Sequence, residues 1–202
     1  MSPDPLQLPR KAKLKLTDRI ANPIDLTQHF PFMVAVVTNL LQLSKDATIR
    51  SISNLEPREF RVLLNVGSYM PIKSADIAYL GRLDSYTVSR AVKTLLSSGL
   101  IEVVESSKNR KIKNLILTAE GESLYKKLSQ SLSTRTSKLE SVLNNDEKKE
   151  LLRMLSLIER KAESMIATHA IEAREQGKNI STDQKEIVRW YKKSLKASGR
   201  VS

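Results

Sequence analysis

Residues 84–100 read DSYTVSRAVKTLLSSGL, and their polar side chains are the ones best suited to do chemistry. At helical spacing Val88, Val92, Leu95 and Leu96 form one apolar stripe, and the opposite side gathers Ser85, Tyr86, Thr87, Ser89, Arg90, Lys93 and Thr94. That face offers hydroxyls, one aromatic ring and two cations, with no acid after Asp84. A solvated helix face ordinarily mixes both signs of charge. A face made of donors is suited instead to an anionic partner. A second basic set, Lys108, Arg110, Lys111 and Lys113, follows within a turn-like stretch and the run after it, again with no acid among them.

Catalytic chemistry is poorly supplied by comparison. The two histidines, His29 and His169, are far apart, and the sequence shows no metal-ligand cluster, P-loop or glycine-rich fingerprint. His29 reads as a half-exposed structural residue, and His169 as a cation at a helix C-terminus. Cysteine is absent, which excludes disulfides, thiolate catalysis, cysteine zinc sites and thiol redox sensing. No catalytic residue, metal site or cofactor is expected.

The 202 residues carry a formal net charge of +12, which favours nucleic acid first and an anionic membrane surface second. Aromatic residues are scarce at 4% and charged residues plentiful at 28%, a mix that suits a mostly helical protein with modest cores. The apolar run Phe32–Val37 is too short to span a bilayer, and the first residues, MSPDPLQLPRKAK, lack the apolar stretch of a secretory signal. A cytoplasmic location without membrane contact is the expectation.

These donors need elements to hold them. Residues 1–28, with Pro3, Pro5 and Pro9 and a basic cluster from Arg10 to Lys15, read as an extended arm. The run 32–43 forms a helix apolar on two sides, through Val36, Leu40 and Leu43 and, beside them, Met33, Val37 and Leu41. The next helix starts at Pro57, buries Phe60, Leu63, Leu64 and Val66, and stops near Gly67. In SADIAYLGRL, Ser74 caps a short helix, Ile77 and Leu80 face inward, and Gly81 permits a tight turn. Asp84 or Ser85 then caps the donor-bearing helix, and Gly99 lies just past its end.

The runs IEVVES and KIKNLILT, joined by SSKNR, read as a β-hairpin with Leu115 and Leu117 facing the core. Thr118 caps a long helix marked by Leu124, Leu128, Leu132, Leu139 and Leu143. After Asn144 another helix, 146–168, carries Leu151, Leu152, Leu155, Ile158 and Met165. Beyond Gly177, Ser181 and Gln184 make a capping-box pattern for a basic helix whose Ile187, Tyr191 and Leu195 share a face.

Helix, short helix, turn, helix, hairpin is the order of a winged helix-turn-helix. In LEPREFRVLLNV, SADIAYLGRLDSYTVSRAVKTLLSSGLI and NRKIKNLILTAEG the chain, from about 30 to 166, resembles the MarR family of bacterial transcription regulators. The resemblance implies a mainly α fold with a small wing and long dimerisation helices. The expected layout is an arm at 1–28, a MarR-like domain at 29–169 whose DNA-binding part covers about 55–118, and a basic extension at 170–202.

It further implies a homodimer on a pseudo-palindromic double-stranded operator. Expected DNA contacts are Ser74, Ser85, Tyr86, Thr87, Ser89, Arg90 and Lys93, with Lys108, Arg110, Lys111 and Lys113 from the wing. Arg90 is the candidate for a bidentate guanine contact. Many members of the family release DNA when a small-molecule effector enters a cleft; here Tyr69, Met70 and Phe32 either border such a cleft or are ordinary core or edge residues, the second being the reading preferred. The chain departs from the family pattern at the wing, where Asn109 and Lys111 stand in place of an Asp and an Arg. Glu56 stands where a threonine cap is usual, so the start of that helix is expected to be less well held. A second reading stays open: a winged-helix module that binds protein or coats DNA without sequence preference. Trp190 and Tyr191 either anchor the tail to the body or present a docking site.

Overall fold

The computed structural model describes residues 15–106 and 109–197; at 44–46, 48–49, 106, 109–112 and 196–197 it describes the backbone alone. The described elements, in order, are α1 (Phe30–Ile52), α2 (Pro57–Tyr69), α3 (Ser74–Gly81), α4 (Ser85–Ser97), β1 (Ile101–Ser106), β2 (Asn109–Leu117), α5 (Ala119–Glu140), α6 (Asn145–Glu175) and α7 (Thr182–Ala197). The chain divides into two units at Thr48 and Ile49. Among the described residues no helix is long and apolar enough to cross a membrane. The expected arm at 1–28 lies outside the described residues up to position 14.

The first unit is dominated by α1, which runs well past the 32–43 expected from its apolar pattern. Phe32 and Val36 are half-buried, but many of its other apolar side chains are exposed. Met33, Val34, Val37, Leu40 and Leu41 are exposed, and Leu43 is 70% exposed. Exposed apolar side chains are thus concentrated along this helix.

The second unit has a single core where α2, α3, α4, the hairpin and α5 meet. Phe60, Leu63 and Val66 of α2 pack with Ile77 of α3, Val88 and Leu95 of α4, Ile101, Leu115 and Leu117 of the hairpin, and Leu128 of α5. Each of these fully buried side chains stabilises the fold by about 1.5–3 kcal/mol relative to exposure. Val62 is buried with them, although the spacing of apolar residues did not place it on the inner face.

Several helix ends differ from expectation. The start of α2 is well held after all: Pro57 opens it, and the Glu59 carboxylate accepts the Glu56 N–H at 2.9 Å. Gly67 does not stop that helix, which continues to Tyr69. Instead, a Cβ at 67 would strike the ring of Tyr125 from α5, so the glycine permits a close helix crossing. Ser74 is the first residue of α3, not its cap; Lys73 holds the cap position without a side-chain hydrogen bond. Leu80 is 50% exposed rather than inward-facing, and the left-handed residue at the tight turn is Arg82 (φ 48°), not Gly81.

The hairpin is antiparallel, with Ile101 opposite Leu117, Val103 opposite Leu115 and Glu105 opposite Lys113. The register shifts after Glu105; β1 spans IEVVES as expected, while β2 begins two residues earlier than expected, with Ser106 opposite Asn109. Ile72 adds one bridge to Leu115 on the outer side. The base of the hairpin is fastened by Thr118. Its hydroxyl donates to Gly99 O at 2.6 Å and accepts from Gly121 N–H at 3.1 Å, while its N–H donates to Leu100 O at 3.2 Å.

Asn144 caps α6 by accepting from the N–H groups of Asp146 and Glu147. This helix extends to Glu175, so His169 lies on an exposed mid-helix face and not at a C-terminus. His29 is likewise exposed, not half-buried, and its carbonyl accepts the Met33 N–H as α1 begins. Along α6 the large side chains Leu151, Leu152, Leu155, Ile158 and Met165 are all exposed.

Candidate nucleic-acid interface

The donor-bearing helix α4 is fixed from within by Val88, Ala91, Val92 and Leu95, all buried. Leu96, expected in this stripe, is exposed because a fourth apolar position so close to Leu95 swings past the core edge. Asp84 is the cap: its carboxylate accepts the Thr87 N–H at 2.8 Å. The Thr87 hydroxyl, then this N–H, hold the Asp84 carboxyl below its ordinary value. The α4 start is therefore anchored at neutral pH, and the Thr87 hydroxyl is engaged there.

On the outer side Tyr86 is 70% exposed, and Ser89, Arg90, Lys93 and Thr94 are exposed with it. The Arg90 guanidinium lies 5.7 Å from the centroid of the Tyr86 ring, within reach of a cation–π attraction. Thr94 and Ser97 direct their hydroxyls to carbonyls of their own helix, Arg90 O and Thr94 O. The donors left facing outward are thus concentrated in the first two turns.

Ser74 is half-buried at the start of α3, beside exposed Lys73. In the wing, Lys113 is exposed on the strand opposite Glu105. The backbones of Arg110 and Lys111 belong to β2, but their side chains, and Lys108 entirely, lie outside the described residues. Tyr69 and Met70 are exposed at the end of α2. They and Phe32 lie in different units, so no cleft is assigned to them.

Sequence alone did not single out Glu186 and Arg82, and for Trp190 it left two readings, an anchor for the tail or a docking site. Trp190 is buried at 5%, edge-on to Tyr79 of α3 with ring centroids 6.0 Å apart. It anchors α7 to the body. Arg82 lies over the Tyr79 ring at 4.4 Å and pairs with Glu163 of α6 at 2.8 Å. Glu186 reaches the first residue of α4: its carboxylate accepts the Ser85 N–H at 3.1 Å and also takes the Ser85 hydroxyl. The spacing Glu186–Trp190–Lys193 is a helical stripe, one position round from the Ile187–Tyr191–Leu195 face, and it was the available signal.

A buried-faced helix after a tight turn, a two-stranded wing and long flanking helices make up a winged helix-turn-helix. Residues 55–113 match the MarR family. Solved structures of MarR family regulators resemble the chain in fold. A MarR/EmrR family transcriptional regulator from Acinetobacter sp. ADP1 has a TM-score of 0.64 at 24% identity, over 70% of this chain and 99% of that one. NMB1585, a MarR family regulator from Neisseria meningitidis, has a TM-score of 0.62 at 20% identity, over 72% and 99%. CouR from Rhodococcus jostii RHA1, bound to p-coumaroyl-CoA, has a TM-score of 0.62 at 16% identity, over 67% and 95%. At such identities these likenesses establish the MarR-type winged-helix fold. Among curated proteins none matches.

Proposed function

We propose that this protein is a transcription regulator of the MarR type that binds a pseudo-palindromic operator as a homodimer. The observation that carries the reading is the outer face of α4, where Tyr86, Ser89, Arg90 and Lys93 stand exposed and free of acids on a helix packed rigidly from behind. A recognition helix needs this division: a fixed inner face, and outward donors near the N-terminus that reach base edges in the major groove. Arg90 is the residue for a bidentate guanine contact, and Ser89 and Lys93 are suited to phosphate. Exposed Lys113 of β2 adds a cation suited to the flanking phosphate backbone.

The homodimer is supported by the uncovered apolar side chains of α1 and α6, which a second copy would bury. Two-fold symmetry then places the half-site centres about one helical turn, ~34 Å, apart. Such a dimer carries 24 formal charges, twice the +12 of one chain, so affinity falls steeply with salt. Release by a small-molecule effector belongs to the same reading, by analogy with the relative that holds p-coumaroyl-CoA.

The test is a salt titration of binding to the protein's own upstream DNA and to a scrambled duplex, with the wild type and Arg90→Ala. The native duplex should win by orders of magnitude, and Arg90→Ala should lose about 1–3 kcal/mol of that discrimination. Equal binding of both duplexes at every salt concentration, unaffected by Arg90→Ala, would turn the assignment to a non-specific coating module.

A further inference from the structure

Helix α7 meets the recognition helix at the end that this fold turns toward DNA. The first N–H groups of any α-helix lack partners inside the helix, and the helix dipole adds to their attraction for an anion. In α4 two such donors are occupied by carboxylates. Asp84, the local cap, takes the Thr87 N–H, and Glu186, a hundred residues away in sequence, takes the N–H and hydroxyl of Ser85.

Glu186 is firmly placed. Its side chain is only 12% exposed, with the Arg189 guanidinium 3.8 Å away. One turn on, Trp190 sinks into the core, and the amino group of Lys193 lies 5.9 Å from the Tyr79 ring. The edge of α7 along α3 and α4 is otherwise basic, through Arg189 and Lys193. Asp183 lies a turn earlier in the first turn of α7, and Glu186 is the acid that sits on the Ser85 donors that a DNA phosphate would use.

We infer that Glu186 sets the affinity for DNA from within the chain, by holding the anion position at the start of the recognition helix until a phosphate displaces it. The inference rests on the reading of α4 as a DNA-binding helix. A carboxylate at that point repels the incoming backbone and occupies the Ser85 donors, so DNA binding includes the cost of moving it. Docking of α7 through Trp190 keeps this competitor at high local concentration.

The experiment compares the full-length wild type, Glu186→Gln and Glu186→Ala on the upstream duplex and on a scrambled duplex across a salt series. Trp190 is the single tryptophan, so its emission reports whether α7 stays docked in each variant. Glutamine keeps an acceptor for Ser85 without the charge, and alanine removes both. Both variants should bind more tightly than wild type, by about tenfold at low salt, the scale of one charge-assisted hydrogen bond. The gain should shrink as salt screens the lost repulsion. Undocking of α7 in a variant removes the competitor too and leaves the expected direction unchanged. If neither variant binds more tightly than wild type while wild type still prefers its own duplex, Glu186 is only a cap and this inference falls alone. If no form binds either duplex, the DNA reading and the inference fall together.

Discussion

Replacing Arg82 by alanine tests how the turn between α3 and α4 is held to the long helix α6. One guanidinium nitrogen of Arg82 donates to Glu163 at 2.8 Å and lies 3.2 Å from Glu159, while another donates to Tyr79 O at 2.8 Å. The two acids do not contribute equally. The Glu159 side chain is 53% exposed, and such a pair adds at most about 1 kcal/mol. Glu163 is 9% exposed, so removing its partner strands a charge, which typically costs about 3–5 kcal/mol. The pair is not a two-bond fork, since Arg82 Nε and Glu163 Oε1 lack protein partners, and the arginine is 30% exposed, so water softens the loss. The lower end applies, and the stacking of Arg82 over Tyr79 adds about 0.5–1 kcal/mol. Arg82→Ala should therefore destabilise by about 3–4 kcal/mol, read as a lower urea midpoint at unchanged m-value. In that background Glu163→Gln should return a substantial share, giving a coupling energy of about 2 kcal/mol in a double-mutant cycle. A loss below about 1 kcal/mol with no coupling would refute the reasoning and assign the turn to the packing of Leu83 and Trp190.

Asp84→Ala should cost about 1 kcal/mol through the lost cap. Because the folded-state pKa of Asp84 is depressed, its contribution is present above the unfolded carboxylate value and is lost as pH falls through the folded value. The gap in melting temperature between wild type and Asp84→Ala should accordingly be full at pH 7 and narrow toward pH 3; a gap independent of pH would contradict this. Gly121→Ala drives a methyl group into the backbone carbonyl of Leu100, so it should destabilise by more than about 2 kcal/mol in chemical denaturation. Gly99→Ala meets nothing within 4 Å and bears only the left-handed backbone cost at φ 66°, roughly 1 kcal/mol. Equal losses at the two glycines would show that backbone conformation alone governs both.

The order of elements was legible in the sequence because each had its own local signal: Pro57 opening α2, Asp84 and Thr118 as caps, Ser181 with Gln184 before α7. The inner face of α4 was also readable from spacing, up to Leu95. What escaped were outcomes decided by distant residues. Gly67 looks like a helix stop until the Tyr125 ring arrives against it from α5. Gly81 looks like the turn residue, yet Arg82 takes the left-handed conformation because Glu163 and the Tyr79 ring secure its side chain there. At the interface itself, the donors on α4 could be read directly from residue type. The carboxylate that meets Ser85 could not, since it comes from a helix a hundred residues later and its position depends on where Trp190 finds a pocket.

Thr118 ties the end of α4, the roots of both strands and the first turn of α5 into one knot through Gly99, Leu100 and Gly121. Mechanically the hairpin is then a lever pivoting on this knot, with α5 as its handle. The six residues of β1 give an arm of about 20 Å at ~3.4 Å per residue. A tilt of α5 by roughly 10° would carry the far end of that arm about 3–4 Å, close to the ~3.4 Å spacing of successive nucleotides along a strand. The reach of β1 is thus tied to hydrogen bonds at Thr118, at the root of the strand.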